Sequence, residues 1–185
     1  PPGDPGKLAY TLVCLENPPG TKYVSGSQDP LGIVLPGLNR LWYERGCYWP
    51  AEITGHHDDA VLGWLEDHIR LVPLEPRHTA FNVLDETRIT AEGARTLAMA
   101  ASALWDAALA RNAEAFGKAM TDSFNAQVSM FPLMKSGAVE KAIAGPGNHG
   151  YGYKLSGAGG GGYLVLFSPP DSLSGIRIRI RRLGF

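Results

Sequence analysis

Apolar residues recur along this chain at two spacings, and each change of spacing marks an element. Leu8, Leu12 and Leu15 fall at helical intervals within Lys7 to Glu16, and Asn17-Pro-Pro-Gly20 stops that helix. Leu31 to Leu35 is an apolar run closed by Pro36-Gly37; periodicity leaves it open between a buried strand and the first turns of a helix. Asp58 caps a short helix holding Ala60 to Leu65, and Ile69-Arg-Leu-Val-Pro-Leu74 then alternates as a strand whose edge or end is marked by Pro73. Thr90 caps a long helix with Leu97, Ala101, Leu104, Trp105 and Ala108 on one face. Asn112 starts a second one, in which Phe116, Met120, Phe124 and Gln127 or Val128 recur until Pro132 forbids continuation. These two helices are expected to form an antiparallel hairpin. Ser136 opens a third, using Val139 and Ile143 and broken by Gly145-Pro-Gly147. Tyr151 to Leu155 and Tyr163 to Phe167 read as strands around a glycine core, and Ile176-Arg-Ile-Arg-Ile-Arg181 alternates so that isoleucines face inward and arginines outward. The sum predicts an α+β fold, with helices covering one side of an antiparallel sheet.

Composition narrows the function more than the fold. With 185 residues, 17 Lys+Arg against 18 Asp+Glu and a net charge of -1, the chain is one domain or two small ones and exerts no long-range pull on polyanions. Neither a nucleic-acid nor a membrane partner is expected. The longest apolar stretches, such as Tyr163 to Phe167, fall far short of the roughly 20 residues that cross a bilayer. Cys14 and Cys47 make no disulfide framework and no Cys-x-x-Cys pair, so a reducing, cytoplasmic setting is expected. The opening Pro1-Pro-Gly-Asp-Pro-Gly6 lacks the basic and apolar regions of a signal peptide, and a longer parent chain is expected.

Nine of the 23 glycines fall within Gly145 to Gly162, and Gly157-Ala-Gly-Gly-Gly-Gly162 literally contains Gly-x-Gly-x-x-Gly. A dinucleotide site of that kind needs a helix after the glycines, whereas Tyr163-Leu-Val-Leu-Phe167 is a strand sequence. What remains is a loop nearly free of Cβ atoms, whose backbone N–H groups can approach an anion or another backbone. A tight hairpin turn needs one or two glycines, so five in six positions point to a functional loop.

Gly152-Tyr-Lys-Leu-Ser-Gly-Ala-Gly-Gly-Gly-Gly-Tyr-Leu164 resembles the third, C-terminal signature of the GHMP small-molecule kinases, a family that includes galactokinase, homoserine kinase, mevalonate kinase and sugar-phosphate kinases. Gly26-Ser-Gln-Asp-Pro-Leu-Gly-Ile-Val-Leu-Pro-Gly-Leu-Asn39 resembles, without a gap, the Gln-Asp segment and following Gly-Gly-Phe-Asn of the heptose-phosphate and fucose kinases. The resemblance departs from the family at Pro30, where many members carry Gln, and at Pro36, where Gly is usual. It implies a C-terminal GHMP-kinase domain of ferredoxin-like type over 56–185, preceded by a remnant of the N-terminal kinase domain over 1–55. It also implies ATP-dependent phosphorylation of a sugar or sugar phosphate. Asp29 then stands where sugar-kinase members keep a catalytic aspartate, Gln28 orients substrate or merely hydrogen-bonds its loop, Asn39 lies on the substrate side, and Gly157, Ala158, Gly159, Gly160, Gly161 and Gly162 frame the phosphates of ATP, second in contact to the family's phosphate loop. The family's own phosphate loop, a Pro-x-x-x-Gly-Leu-Gly-Ser-Ser-Ala-like stretch, is not in the chain. The residues that hold Mg²⁺ are expected in that N-terminal half, and the chain alone is expected to turn over little or nothing. The competing expectation is a non-catalytic module that binds a phosphorylated ligand or a partner chain through the glycine loop.

Other conspicuous residues have plainer readings. His56-His57-Asp58-Asp59 offers metal-ligand types, but adjacent residues cannot all face one ion and the run precedes a helix, where Asp caps; no metal site is expected. His149 and Lys154 flank the glycine loop and are candidates for phosphate contact, Lys154 equally for solvation. Arg177, Arg179, Arg181 and Arg182 read as the charged face and end of an edge strand before they read as an RNA contact. Trp42, Tyr43, Tyr48 and Trp49 read as core packing before a stacking surface for a sugar or base.

Overall fold

The computed structural model describes residues 3–22, 24–76, 82–145, 150–157, 159–172 and 175–184. They divide into two compact units, 1–62 with 180–185 and 63–179. Among the described residues no helix is long and apolar enough to cross a membrane.

In the first unit, helix α1 (Pro5–Glu16) begins at Asp4, whose carboxylate accepts the Gly6 N–H, and Pro5 supplies the fixed φ of a first helical position. The run left open between strand and helix is helix α2 (Gln28–Val34). Ala9 of α1 packs with Leu31 and Val34, and Leu12, Leu35, Leu41 and Trp49 close around them. An antiparallel hairpin, β1 (Leu38–Trp42) with β2 (Glu52–His56), pairs Asn39 with Gly55 and Leu41 with Ile53. The sequence signal missed both strands: β2 reads Glu-Ile-Thr-Gly-His and is exposed over Glu52–Gly55, so no apolar alternation announces it. Of the four aromatics expected in a core, Trp49 is half-buried and meets Tyr10 edge-on at 5.7 Å, and Tyr43 is half-buried, while Trp42 and Tyr48 are exposed.

The second unit starts within helix α3 (Asp59–His68), whose capping residue is Asp58: its carboxylate accepts the Val61 N–H at 3.0 Å. Strand β3 (Ile69–Pro73) follows, then the expected helical hairpin of α4 (Ala91–Leu109) and α5 (Ala113–Met130), capped by Thr90 and Asn112. The expected face of α4 is the inner one at Leu97, Leu104, Trp105 and Ala108, and departs from it only at Ala101. Ala100, Ala107 and Ala108 are buried and Ala101 is exposed, because small residues let the helices approach and the buried stripe follows the alanines. A 3-10 turn at Pro132–Met134 and helix α6 (Gly137–Ala144), capped by Ser136, lead to strands β4 (Gly152–Leu155) and β5 (Tyr163–Phe167).

The sheet order is β4-β5-β3-β6, with every pair antiparallel. That is the ferredoxin-like arrangement: the crossover from β3 to β4 carries α4, α5 and α6, whereas the one from β5 to β6 carries, among its described residues, only a 3-10 turn at Pro170–Ser172. Phe124, Met134, Val139, Leu155, Leu164 and Leu166 form the core between sheet and helices. Trp64, Phe116 and Phe167 meet one another, with Phe116 and Phe167 centred 4.5 Å apart.

The expected strand Ile176 to Arg181 is a strand only over Ile176–Arg177, here β6, and Ile176 is half-exposed rather than buried. Arg70 pairs with Arg177, so β3 has only Ile69 left to offer before α3, and the ladder runs out. Beyond it the arginines find individual partners. Arg179 reaches the buried Glu66 at 3.2 Å, Arg182 reaches Asp59 at 2.8 Å, and Arg181 donates to the Val34 carbonyl at 3.2 Å.

Candidate functional site

Asp29 and Gln28 occupy the first turn of α2, and both side chains are exposed. Their presentation comes from the residues around them. Ser27 at the start of the helix is fully buried, donating its hydroxyl to the Tyr48 carbonyl at 2.6 Å and sharing a hydrogen bond with the Tyr43 hydroxyl at 2.9 Å. Pro30, Leu31 and Val34 bury the opposite face. Alternating anchors of this kind leave an acid pointing outward on a helix that cannot roll.

Asn39 sits on β1, half-buried, and its side-chain N–H₂ donates to the Pro36 carbonyl at 3.0 Å and the Gly37 carbonyl at 3.4 Å. Its amide nitrogen is thus committed to the turn, and only its oxygen is available for another contact. Gly37 holds φ of +77°, and a Cβ there would lie 2.4 Å from His57 Nδ1. At Gly55 it would lie 2.9 Å from His57 Nε2. The His57 ring therefore packs against two glycines beside Asn39. With Asp58 capping α3 and Asp59 bound to Arg182, the members of this run point to separate tasks. Among the described residues no group of three or more His, Cys, Asp or Glu side chains converges.

The glycine loop belongs to the second unit. Gly157, Gly159, Gly160 and Gly162 all hold positive φ, between 70° and 88°, a region that costs other residues about 1–2 kcal/mol each. A hairpin turn does not need four such positions. Three hydrogen bonds tie the loop down: Ser156 N–H to the Tyr163 carbonyl, Leu74 N–H to the Gly162 carbonyl, and Gly160 N–H to the Met134 carbonyl. Gly159 also rests on Met134, where a Cβ would come within 2.9 Å of backbone atoms. Gly159→Ala is accordingly expected to destabilise the protein by more than Gly162→Ala. The second substitution meets nothing within 4 Å and carries only the conformational penalty, so urea midpoints of the two variants measure the difference. Ala158 and His149 lie outside the described residues.

Lys154, a candidate for phosphate contact and equally for solvation, is not a solvated lysine. It is half-buried, its Nζ donating to Ser123 Oγ at 3.1 Å and to Gln127 Oε1 on α5. Burial pushes its pKa down from 10.5 to about 8. The Ser–Lys pairing has the distance of a nucleophile and its base, but Ser123 is 3% exposed on the inner face of a helix, closed to a substrate. A groove of about 590 Å³ between α4 and α5, lined by Thr96, Met99, Ala103, Asp122 and Asn125 among others, includes none of the residues singled out above.

No family model and no curated protein matches the chain. Among solved structures it is similar to a D-glycero-D-manno-heptose 1-phosphate kinase from Bacteriodes thetaiotaomicron, with a TM-score of 0.59 and 13% identity over 94% of this chain and 51% of that one. The likeness is one of fold, an α+β arrangement of antiparallel sheets and helices, and the chain spans about half the length of that kinase.

Proposed function

We propose that the chain is the C-terminal portion of an ATP-dependent sugar or sugar-phosphate kinase of the GHMP type. The observation that carries this reading is the glycine loop: four left-handed glycines, in a sequence resembling the third signature of that family, at the end of β4 in a fold shared with a heptose 1-phosphate kinase. In this reading residues 1–55 are the end of the N-terminal kinase domain and 56–185 the C-terminal domain.

Asp29 accepts the proton of the sugar hydroxyl as that oxygen bonds to the γ-phosphorus and the bond from phosphorus to the ADP oxygen breaks. Gln28 and the oxygen of Asn39 orient the sugar. The loop from Gly157 to Gly162 lets phosphates come close because no Cβ stands in the way. Residues of the N-terminal half would hold Mg²⁺; among the described residues of this chain no group of three or more His, Cys, Asp or Glu side chains converges.

The first unit carries a second sign of a missing neighbour. Its core is built on Ala9, Leu31 and Val34 and its sheet has two strands, while Leu8, Tyr10, Leu15, Ile33, Trp42 and Tyr48 are each more than half exposed. Two strands and so much exposed apolar surface are ordinary for a unit that docks on something larger.

The test measures phosphoryl transfer from ATP to a panel of sugars and sugar phosphates, by this chain alone and by the chain joined to the coding sequence upstream of it. The extended protein is expected to phosphorylate one sugar, and the chain alone none. Amide exchange in α1 is expected to slow at least about tenfold on extension, as burial of its apolar face suppresses local opening. A folded extended protein that binds nucleotide yet turns over no sugar replaces the kinase reading with that of a binding module using the glycine loop.

A further inference from the structure

We infer that Lys154 is the positioning residue of the glycine-rich loop, clamping the strand that enters the loop onto α5 through Ser123 and Gln127. The structural part stands on the second unit alone; its consequence for phosphoryl transfer rests on the kinase reading above.

Strand β4 is an edge strand, hydrogen-bonded to β5 on one side only. On its other side α5 takes the place of a neighbour, at three successive levels. Gly152 lies against the Gly117 backbone, the Tyr153 N–H donates to Thr121 Oγ1 at 3.2 Å, and Lys154 Nζ reaches Ser123 and Gln127. Each step along β4 thus climbs α5, and Lys154 makes the last of these hydrogen bonds before Ser156 and the loop. Just past the end of α5, Met134 in the following 3-10 turn holds Gly159 and Gly160. Besides its bonds to Tyr163 and Leu74, the loop is therefore held at two points on one continuous support, and its starting height is set by the lysine.

Burying an ammonium without a carboxylate is costly, and an apolar side chain would pack there more cheaply. Helix α5 presents the neutral Ser123 and Gln127 to it, and β5 presents Val165 in register. Desolvation alone accounts for its lowered pKa of about 8. The unfolded lysine keeps its proton to about 10.5, so between those values the unfolded state binds more protons and stability rises with pH. What the lysine supplies is direction: a long side chain with hydrogen-bond donors aimed at two acceptors one helical turn apart.

The experiment compares the parent chain with Lys154→Met and Gln127→Leu by hydrogen exchange resolved at single amides and by urea unfolding. In both variants the amides of Ser156 and Gly160 are expected to exchange about tenfold faster, the loss of one hydrogen-bonded anchor, while amides of Val165 and Leu166 in the sheet keep their rates. Lys154→Met is also expected to lose the gain in stability that the parent shows between pH 7.5 and 10. If loop exchange stays within twofold of the parent in a folded Lys154→Met protein, or if sheet and loop accelerate together, Lys154 is a packing residue and the inference fails. Should Lys154→Met not fold, Gln127→Leu, which keeps the lysine and removes one acceptor, decides by the same loop-to-sheet comparison. None of these readouts needs kinase activity, so failure here and failure of the kinase reading are separate results. In an active extended kinase the same Lys154→Met change is expected to raise KM for ATP several-fold more than it lowers kcat.

Discussion

Asp29→Asn in the extended kinase is expected to lower kcat by about 10²- to 10⁴-fold, the range over which a positioned base contributes, while KM for sugar and nucleotide stays within a few-fold. The expectation is sharp because the substitution has so little else to disturb. Asp29 is exposed, and α2 is held by Ser27, Pro30, Leu31 and Val34. Asn keeps the shape and the hydrogen-bonding oxygen but cannot take a proton. Steady-state kinetics with the preferred sugar, alongside a urea midpoint unchanged from the parent, checks both halves. Unaltered turnover would remove Asp29 from the chemistry and leave it an exposed residue in the first turn of a helix.

The largest effect on stability is expected from Gly152→Ala. A Cβ at this position would lie 1.9 Å from the Gly117 carbonyl oxygen, and one at Gly117 would lie 2.3 Å from the Tyr151 carbonyl carbon. Both obstacles are backbone, which cannot rotate aside, so β4 and α5 must separate. Separation loosens Phe116, Met120 and Phe124, all buried from α5, and the cost is expected to be about 3 kcal/mol or more. Gly63→Ala is the control. Gly63 lies inside α3 with nothing within 4 Å of the added carbon, and there the change is expected to stabilise by about 0.5–1 kcal/mol through helix propensity. Urea unfolding followed by tryptophan fluorescence measures the two in opposite directions; equal midpoints would mean that α5 and β4 do not need this close approach.

Much of the second unit is legible without coordinates. Thr90, Asn112 and Ser136 cap the helices they announce, and Tyr163–Phe167 is the strand its composition describes. These are local signals, settled by hydrogen bonds three residues apart and by side chains alternating about one backbone. The hairpin β1–β2 was invisible because its second strand buries almost nothing, and the arginine strand was overread because alternation cannot tell how many residues its partner has to offer.

The candidate site divides along the same line. Motif resemblance singled out Gln28, Asp29, Asn39 and the glycines from Gly157 to Gly162 from the order of residues, since chemistry that needs an acid or an absent Cβ leaves a mark on the residue type itself. Lys154 left no such mark. A lysine beside a glycine loop reads equally as a phosphate contact or a solvated side chain until Ser123 and Gln127 arrive from a helix some thirty residues earlier, and Gly117 and Gly152 look like two unrelated helix and strand weaknesses until they touch. The sequence by itself determined the helices of the second unit, their caps and the strand over Tyr163–Phe167, because these depend on neighbours along the chain. Only the tertiary structure decided which lysine is desolvated, which glycines are indispensable and where the loop is anchored, because burial and close approach belong to pairs of residues far apart in sequence.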